Sequence, residues 1–106
     1  MNIIYKTNAD ISVEQAIELY RQSTLGERRP IDNREIFKGM LKNASVTVSA
    51  WHNDTLVGIS RTLTDFTYVA YLSDLAVDAK FQKKGIGKRL ISETRGKLEK
   101  ECMLVL

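Results

Sequence analysis

Residues 71–91 hold the residue types best suited to binding a charged ligand. Within them Gln82-Lys83-Lys84-Gly85-Ile86-Gly87 places two lysines and two glycines between an apolar run and a helical pattern. A strand that ends in such a loop and continues as a helix aims several backbone N–H groups and a helix N-terminus at one spot, which suits phosphate. Glycine lets a polyanion approach the main chain because no side chain intervenes, and Lys83, Lys84 and Lys88 supply opposite charge.

Two well-known phosphate loops fail on spacing. G-x-x-x-x-G-K-[ST] would set its lysine on Lys88, but it needs glycine where Gln82 stands and a hydroxyl where Arg89 stands. G-x-G-x-x-G would start at Gly85 and needs glycine at the position of Leu90, with an acidic partner about 20 residues further on. What remains is Gln-x-x-Gly-x-Gly directly after a strand.

The elements that must position this loop are legible from periodicity. Ile3-Ile4-Tyr5 reads as a first strand. Ser12-Val13-Glu14-Gln15 is a capping box, predicting a helix with Val13, Ala16, Ile17 and Tyr20 on one face. Residues 23–30 lack an apolar period and read as a loop. Asp32-Asn33-Arg34-Glu35 predicts a second helix start, with Ile36, Phe37, Met40 and Leu41 as its buried stripe and Asn43 as its end. From Ser45 the period becomes two. Strands over 46–51 and 55–63 flank an Asn53-Asp54 turn, and Gly58 suggests a bulge or a close backbone neighbour. A third strand over 68–77, a helix over about 85–100 with Ile86, Leu90, Ile91 and Leu98 inward, and a strand from Met103 complete the chain. The predicted class is α/β (α+β): a mixed sheet in the order β-α-α-β-β-β-α-β, mostly antiparallel, with a parallel final strand pair because a helix intervenes.

Composition narrows the function classes. One domain of 106 residues with 43% hydrophobic and 27% charged residues is ordinary for a globular protein. A net charge of +3 suits an anionic small ligand and is too diffuse to argue for nucleic acid. Lys80, Lys83, Lys84, Lys88 and Arg89 cluster on a glycine loop without interleaved aromatics, which favours a compact phosphate ligand. The lone Cys102 lies in a late apolar run and reads as a buried structural thiol, fitting a reducing cytosol. No secretory leader pattern and no membrane-length apolar run is present, so the expected location is cytoplasmic, with no membrane partner. No His/Cys/Asp cluster has metal-ligand spacing. His52 reads as a surface residue and Trp51 as packing.

Strand order, the Gln82–Gly87 loop and the Leu56-Val57-Gly58 step together resemble the GNAT superfamily of N-acetyltransferases. Tyr71-Leu72-x-Asp74 ahead of the loop is similar to its diamine acetyltransferase branch, and Leu25-Gly26-Glu27-Arg28-Arg29-Pro30 to small bacterial members. The resemblance implies that Gln82, Lys83, Lys84, Gly85, Ile86, Gly87 and Lys88 wrap the pyrophosphate of acetyl-coenzyme A. It also implies that the main chain of Leu75, Ala76 and Val77 pairs with the pantetheine arm, and that Glu27, Arg28 and Arg29 border the acceptor site. Family members continue beyond the strand at Met103 into another helix, a strand pair and a tyrosine-bearing segment. The chain is therefore expected to lack the C-terminal part of the fold. Its apolar last strand, Met103 to Leu106, is then an uncovered sheet edge that invites a homodimer.

Acetyl transfer to an amine needs a held thioester, a neutral amine and stabilisation of a tetrahedral oxyanion. An N–H of the strand at residues 75–77, freed by a bulge, could supply the last. An alkylamine with a pKa near ~10.4 arrives protonated and needs a base or a water relay. No Cys or Ser is paired with a His, so direct attack is expected. The candidates for acid–base work are Asp74, Tyr71 and Ser73. By alternation Tyr71, Ser73, Leu75 and Val77 share one face and Leu72, Asp74 and Ala76 the other. Asp74 equally reads as a buried carboxylate paired with an arginine such as Arg61. The diamine branch commonly has a glutamate where Ser73 stands, so that role does not carry over. The expected function is acetyl-CoA-dependent N-acetylation of a primary amine on a small molecule or peptide. The alternative is an inactive CoA-binding or protein-interaction module.

Overall fold

A computed structural model of the chain describes residues 2–106. The elements follow the expected order: β1 (Ile3–Thr7), α1 (Val13–Gln22), α2 (Arg34–Lys42), β2 (Val46–His52), β3 (Thr55–Thr64), β4 (Val69–Val77), α3 (Ile86–Arg95) and β5 (Met103–Val105). Short 3₁₀ turns at Leu25–Arg28 and Ala79–Phe81 add to it. The sheet runs β1-β2-β3-β4-β5, antiparallel through β4, with β5 parallel to β4. The class is the expected mixed α/β fold.

Local chemistry explains the helix starts. The Ser12 hydroxyl accepts the Gln15 N–H at 3.1 Å, and the Gln15 side chain returns to the Ser12 N–H at 3.2 Å, closing the capping box. The buried face of α1 is Ala16, Leu19 and Tyr20, so Leu19 joins the expected set. Helix α2 is capped by Asn33, one residue later than expected, through an Ile36 N–H bond of 3.2 Å. Ile36 is 53% exposed while Phe37 is fully buried, which corrects the predicted stripe. At about 100° per residue, Ile36 falls outside the arc shared by Phe37, Met40 and Leu41. Helix α3 ends at Gly96 rather than near Lys100, because the Arg95 guanidinium turns back onto the carbonyls of Glu99, Lys100 and Cys102.

The sheet separates two apolar layers. On one face α1 and α2 cover Trp51, Leu56, Ile59 and Ala76; on the other α3 covers Val46, Val48, Ala50 and Val57. At Gly58 the side chains of α3 press on the strand. A Cβ there would lie 3.1 Å from Ile86 Cγ2 and 3.2 Å from Leu90 Cδ1, so glycine permits the approach.

Two bulges break the ladders. Val57 is the extra residue between the pairs Ala50↔Gly58 and Trp51↔Leu56, and Ser73 is the extra residue between Arg61↔Asp74 and Thr62↔Leu72. The second overturns the simple alternation in β4. Arg61 and Thr62 are consecutive and face opposite ways, so their partners Asp74 and Leu72 do too. Cys102 is buried and unpaired, as its surroundings predict. Among the described residues no helix is long and apolar enough to cross a membrane.

Candidate active site

Beyond β4 the chain builds a concave surface from main chain. The Asp78 carboxylate accepts the Lys80 N–H at 2.9 Å and starts the 3₁₀ turn. Gln82 Nε2 donates to the Val77 carbonyl at 3.0 Å, folding the loop back on the strand end. Lys83 at φ +64° and Gly85 at φ +83° then reverse the chain into α3. Among the described residues, no amide of residues 82–88 donates to a protein acceptor; the first to do so is Arg89, to Gly85 O at 3.0 Å. A helix start leaves its first amides free, and here the preceding loop adds its own. Lys83, Lys84 and Lys88 are exposed beside them, and none is in an ion pair among the described residues.

This surface walls a cleft of ≈ 530 Å³ lined by Leu75, Val77, Phe81, Gln82, Lys83, Gly85, Ile86, Gly87, Lys88 and Ser23. Ser23 and Phe81 escaped the sequence reading, since nothing local marks them as neighbours. Ala76 does not line the cleft; its side chain is 1% exposed in the α1/α2 layer. A Cβ on Gly87 would stand 3.9 Å from Leu75 Cδ2 and 4.0 Å from Val77 Cγ2, and one on Gly85 would meet nothing within 4 Å. Packing within the chain therefore does not require glycine at position 87; a ligand between α3 and β4 would. Arg89 stands apart from the lysines, over the Tyr5 ring at 4.7 Å and paired with Glu93 at 2.9 Å.

The open edge of β4 forms the far wall. Asp78 N–H donates to Val57 O at 2.9 Å, so in the antiparallel ladder Ala76 and Asp74 face β3 and Leu75 and Val77 face away. Among the described residues, strand β5 pairs only with Val69 to Tyr71. Leu75 N–H and C=O, and Val77 N–H, are thus left for an extended ligand.

On the α1/α2 face the bulge carries charge instead. Asp74 is 1% exposed, and its Oδ2 accepts Tyr20 Oη–H at 2.7 Å and Arg61 Nε–H at 2.8 Å. Its Oδ1 accepts Arg29 Nε–H at 2.7 Å and the Ser73 hydroxyl at 3.3 Å. Burial alone would raise the Asp74 pKa, but the donors Arg61, Tyr20 and Arg29 outweigh it and hold the carboxyl below its usual value. The Tyr20 phenol is pushed up by burial and by the Asp74 charge. Arg29 also donates to Ser73 O at 3.0 Å, which ties the α1–α2 connection to the bulge.

None of the three acid–base candidates lines the cleft. Asp74 and Ser73 are committed to this network. Tyr71 is 49% exposed but lines neither the cleft nor the hollow beside it, and pairs with Val105. The expected Arg61 partner of Asp74 is found; Tyr20 and Arg29 were not foreseen as its ligands.

Beside the cleft lies a smaller hollow of ≈ 250 Å³, lined by Ser23, Thr24, Leu25, Glu27, Arg28 and Leu75. It shares Ser23 and Leu75 with the cleft. Glu27 and Arg28 line this hollow, whereas Arg29 turns inward to Asp74. Gly26 lets the turn press on α1, since a Cβ there would be 2.9 Å from Ile31 Cδ1 and 3.2 Å from Tyr20 O. Among the described residues, no group of three or more His, Cys, Asp or Glu could hold a metal ion. His52 is half-buried rather than free on the surface, its ring 5.3 Å from that of Phe81.

The sequence model of the acetyltransferase (GNAT) family matches residues 13–105. Comparison with curated proteins gives no match. A GNAT family acetyltransferase of Streptococcus pneumoniae superposes with a TM-score of 0.80 at 26% identity, over 99% of this chain and 76% of its own. An aminoglycoside acetyltransferase from an uncultured soil metagenomic sample, solved with sisomicin, gives 0.70 at 27% identity, over 98% of this chain and 75% of its own. An aminoglycoside 6'-N-acetyltransferase complexed with coenzyme A gives 0.72 at 23%, over 89% of this chain and 54% of its own, a likeness of fold alone.

Proposed function

Because the chain belongs to the acetyltransferase (GNAT) family, we propose that it moves an acetyl group from acetyl-coenzyme A to a primary amine of a small molecule or peptide. The observation that carries this is the run of unpaired amides at residues 82–88, set against the open main chain of Leu75 and Val77.

Each part of the chain has a task in that reading. Amides of the loop and of the α3 N-terminus, with Lys83, Lys84 and Lys88 around them, hold the pyrophosphate. Leu75 C=O and Val77 N–H bond the amides of the pantetheine arm as a neighbouring strand would. Gly87 leaves room for that arm. Leu75 N–H, just past the bulge, is placed to donate to the thioester oxygen as negative charge develops there. The coenzyme supplies an acetyl group activated as a thioester. An ammonium ion in the hollow loses a proton to water, its nitrogen forms the C–N bond, the C–S bond breaks, and the departing sulfur takes the remaining proton. The sum is amide, thiol and one released proton. Asp74, saturated by donors, acts by positioning Arg29 and the bulge.

The inactive coenzyme-binding alternative is favoured by one observation: neither hollow is lined by Asp74 or Tyr71. Calorimetric titration with acetyl-CoA and CoA tests binding, and Gly85→Glu is expected to abolish it. Thiol release with an amine panel then separates enzyme from inert core. Absence of binding at millimolar ligand would refute both readings.

A homodimer through β5 belongs to the same proposal. Met103, Val105 and Leu106 are 54%, 42% and 72% exposed, and β5 pairs on one side only among the described residues. Sedimentation is expected to give a dimer at micromolar concentration; a monomer across the whole range would refute it.

A further inference from the structure

The hollow beside Leu75 contains an arrangement that the transfer reaction alone does not call for. Glu27 and Arg28 are adjacent, opposite in charge and both exposed, and both line it. Neither makes an ion pair or a side-chain hydrogen bond among the described residues. Their neighbours behave otherwise: Arg21 pairs with Glu18, and Arg29 and Arg61 share Asp74.

The backbone that presents these two residues is fixed on both sides. Arg29 Nη1 donates to the Arg28 carbonyl at 3.0 Å while its Nε holds Asp74. Gly26 is pressed against Tyr20 O, as its missing Cβ requires. Thr24, a β-branched residue, opens the turn at φ +71°, a left-handed conformation that β-branched residues rarely adopt.

We infer that this hollow takes an acceptor of amino-acid type, with its ammonium group on Glu27 and its carboxylate on the Arg28 guanidinium. The inference rests on the transfer reading and names its substrate class. Guanidinium is a planar donor suited to carboxylate, and Glu27 accepts ammonium N–H groups. At ≈ 250 Å³ the hollow lies below the ~300–1,000 Å³ typical of drug-sized ligands, so it fits a small head group. Because Leu75 and Ser23 belong to both spaces, an amine held at Glu27 stands next to the edge where the thioester would lie. A diamine or other polycation would set a second ammonium group against Arg28. The same arrangement thus selects against diamine acceptors.

The test compares acceptors that differ only in the anionic group: a set of α- and ω-amino acids, each with its methyl ester, and 1,4-diaminobutane. Thiol release is followed at saturating acetyl-CoA, and binding to the CoA-loaded protein by calorimetry. For at least one amino acid, esterification is expected to lower kcat/KM and affinity about tenfold or more. Arg28→Glu is expected to reverse the order, favouring ester and diamine, with acetyl-CoA affinity unchanged. Arg28 is exposed, so the variant should fold. Esters or the diamine used as well as every free acid by the native protein would overturn the inference. So would an Arg28→Glu variant that keeps the native order, or no amino-acid binding to a protein that does bind CoA. Failure to bind acetyl-CoA at all would instead overturn the transfer reading.

Discussion

Strand β4 has two flanks, and they are built on different principles. Toward α3 the ligand-facing groups are main chain: Leu75, Val77 and the amides of residues 82–88. Toward α1 and α2 the polar groups are buried side chains, with Asp74 holding Tyr20, Arg29 and Arg61. A main-chain surface needs only the right turns, so ligand binding there is separable from stability. A buried ionic network makes the α1–α2 connection and the fold depend on the same bonds.

The sharpest way to break the comparison is Asp74→Ala. It leaves the 9%-exposed Arg61 side chain without its carboxylate, and removing one partner of a buried pair costs about 3–5 kcal/mol. Chemical denaturation is expected to show that loss. A loss under ~1 kcal/mol would mean the network is a surface ion pair in energetic terms.

Legibility in the sequence divides along the same line. The loop at residues 82–87 is readable because strand end, Gln82, Gly85 and α3 are consecutive, and turn chemistry is local. Capping at Ser12 and the close approach at Gly58 were readable for the same reason. The Asp74 network joins residues 54, 45 and 13 positions apart, and only Arg61, one strand away, is within reach of sequence reasoning. Alternation misplaced Leu72 relative to Asp74 because the Ser73 bulge, set by pairing with β3, leaves no mark of its own in β4. Arg29 looked like a loop charge beside Arg28, and only the tertiary position of Asp74 separates them.

Gly87→Val tests the other flank. Its Cβ would make ordinary van der Waals contact, 3.9 Å from Leu75 Cδ2, so the added side chain takes up the space between α3, Leu75 and Val77. Coenzyme affinity is expected to fall about tenfold to a hundredfold, roughly 1.4–2.7 kcal/mol. Stability should hold or rise slightly, as glycine is a poor helix former. Equal losses of affinity and stability would erase the distinction between the flanks.

Acid should reach the ionic flank selectively. Asp74 has a folded pKa below its unfolded value, so its contribution is fully present above the unfolded value near ~3.9 and is lost as pH falls through the folded one. The native protein should therefore lose stability below about pH 4 more steeply than Asp74→Asn. Parallel curves would show that other carboxylates carry the acid response.

The smallest effect concerns a residue next to the bulge. Thr62 pairs with Leu72 on the α3 face, where the neighbouring Val46 is apolar. Among the described residues its hydroxyl is a buried polar atom without a partner, while Asp74, one pair away, has four donors. Valine has nearly the same shape and nothing to satisfy. Thr62→Val should therefore stabilise by about 1 kcal/mol, raising Tm by ~4–8 °C. A fall in Tm would place a bound water or a ligand group at Thr62, and polar function would then extend to both flanks of β4.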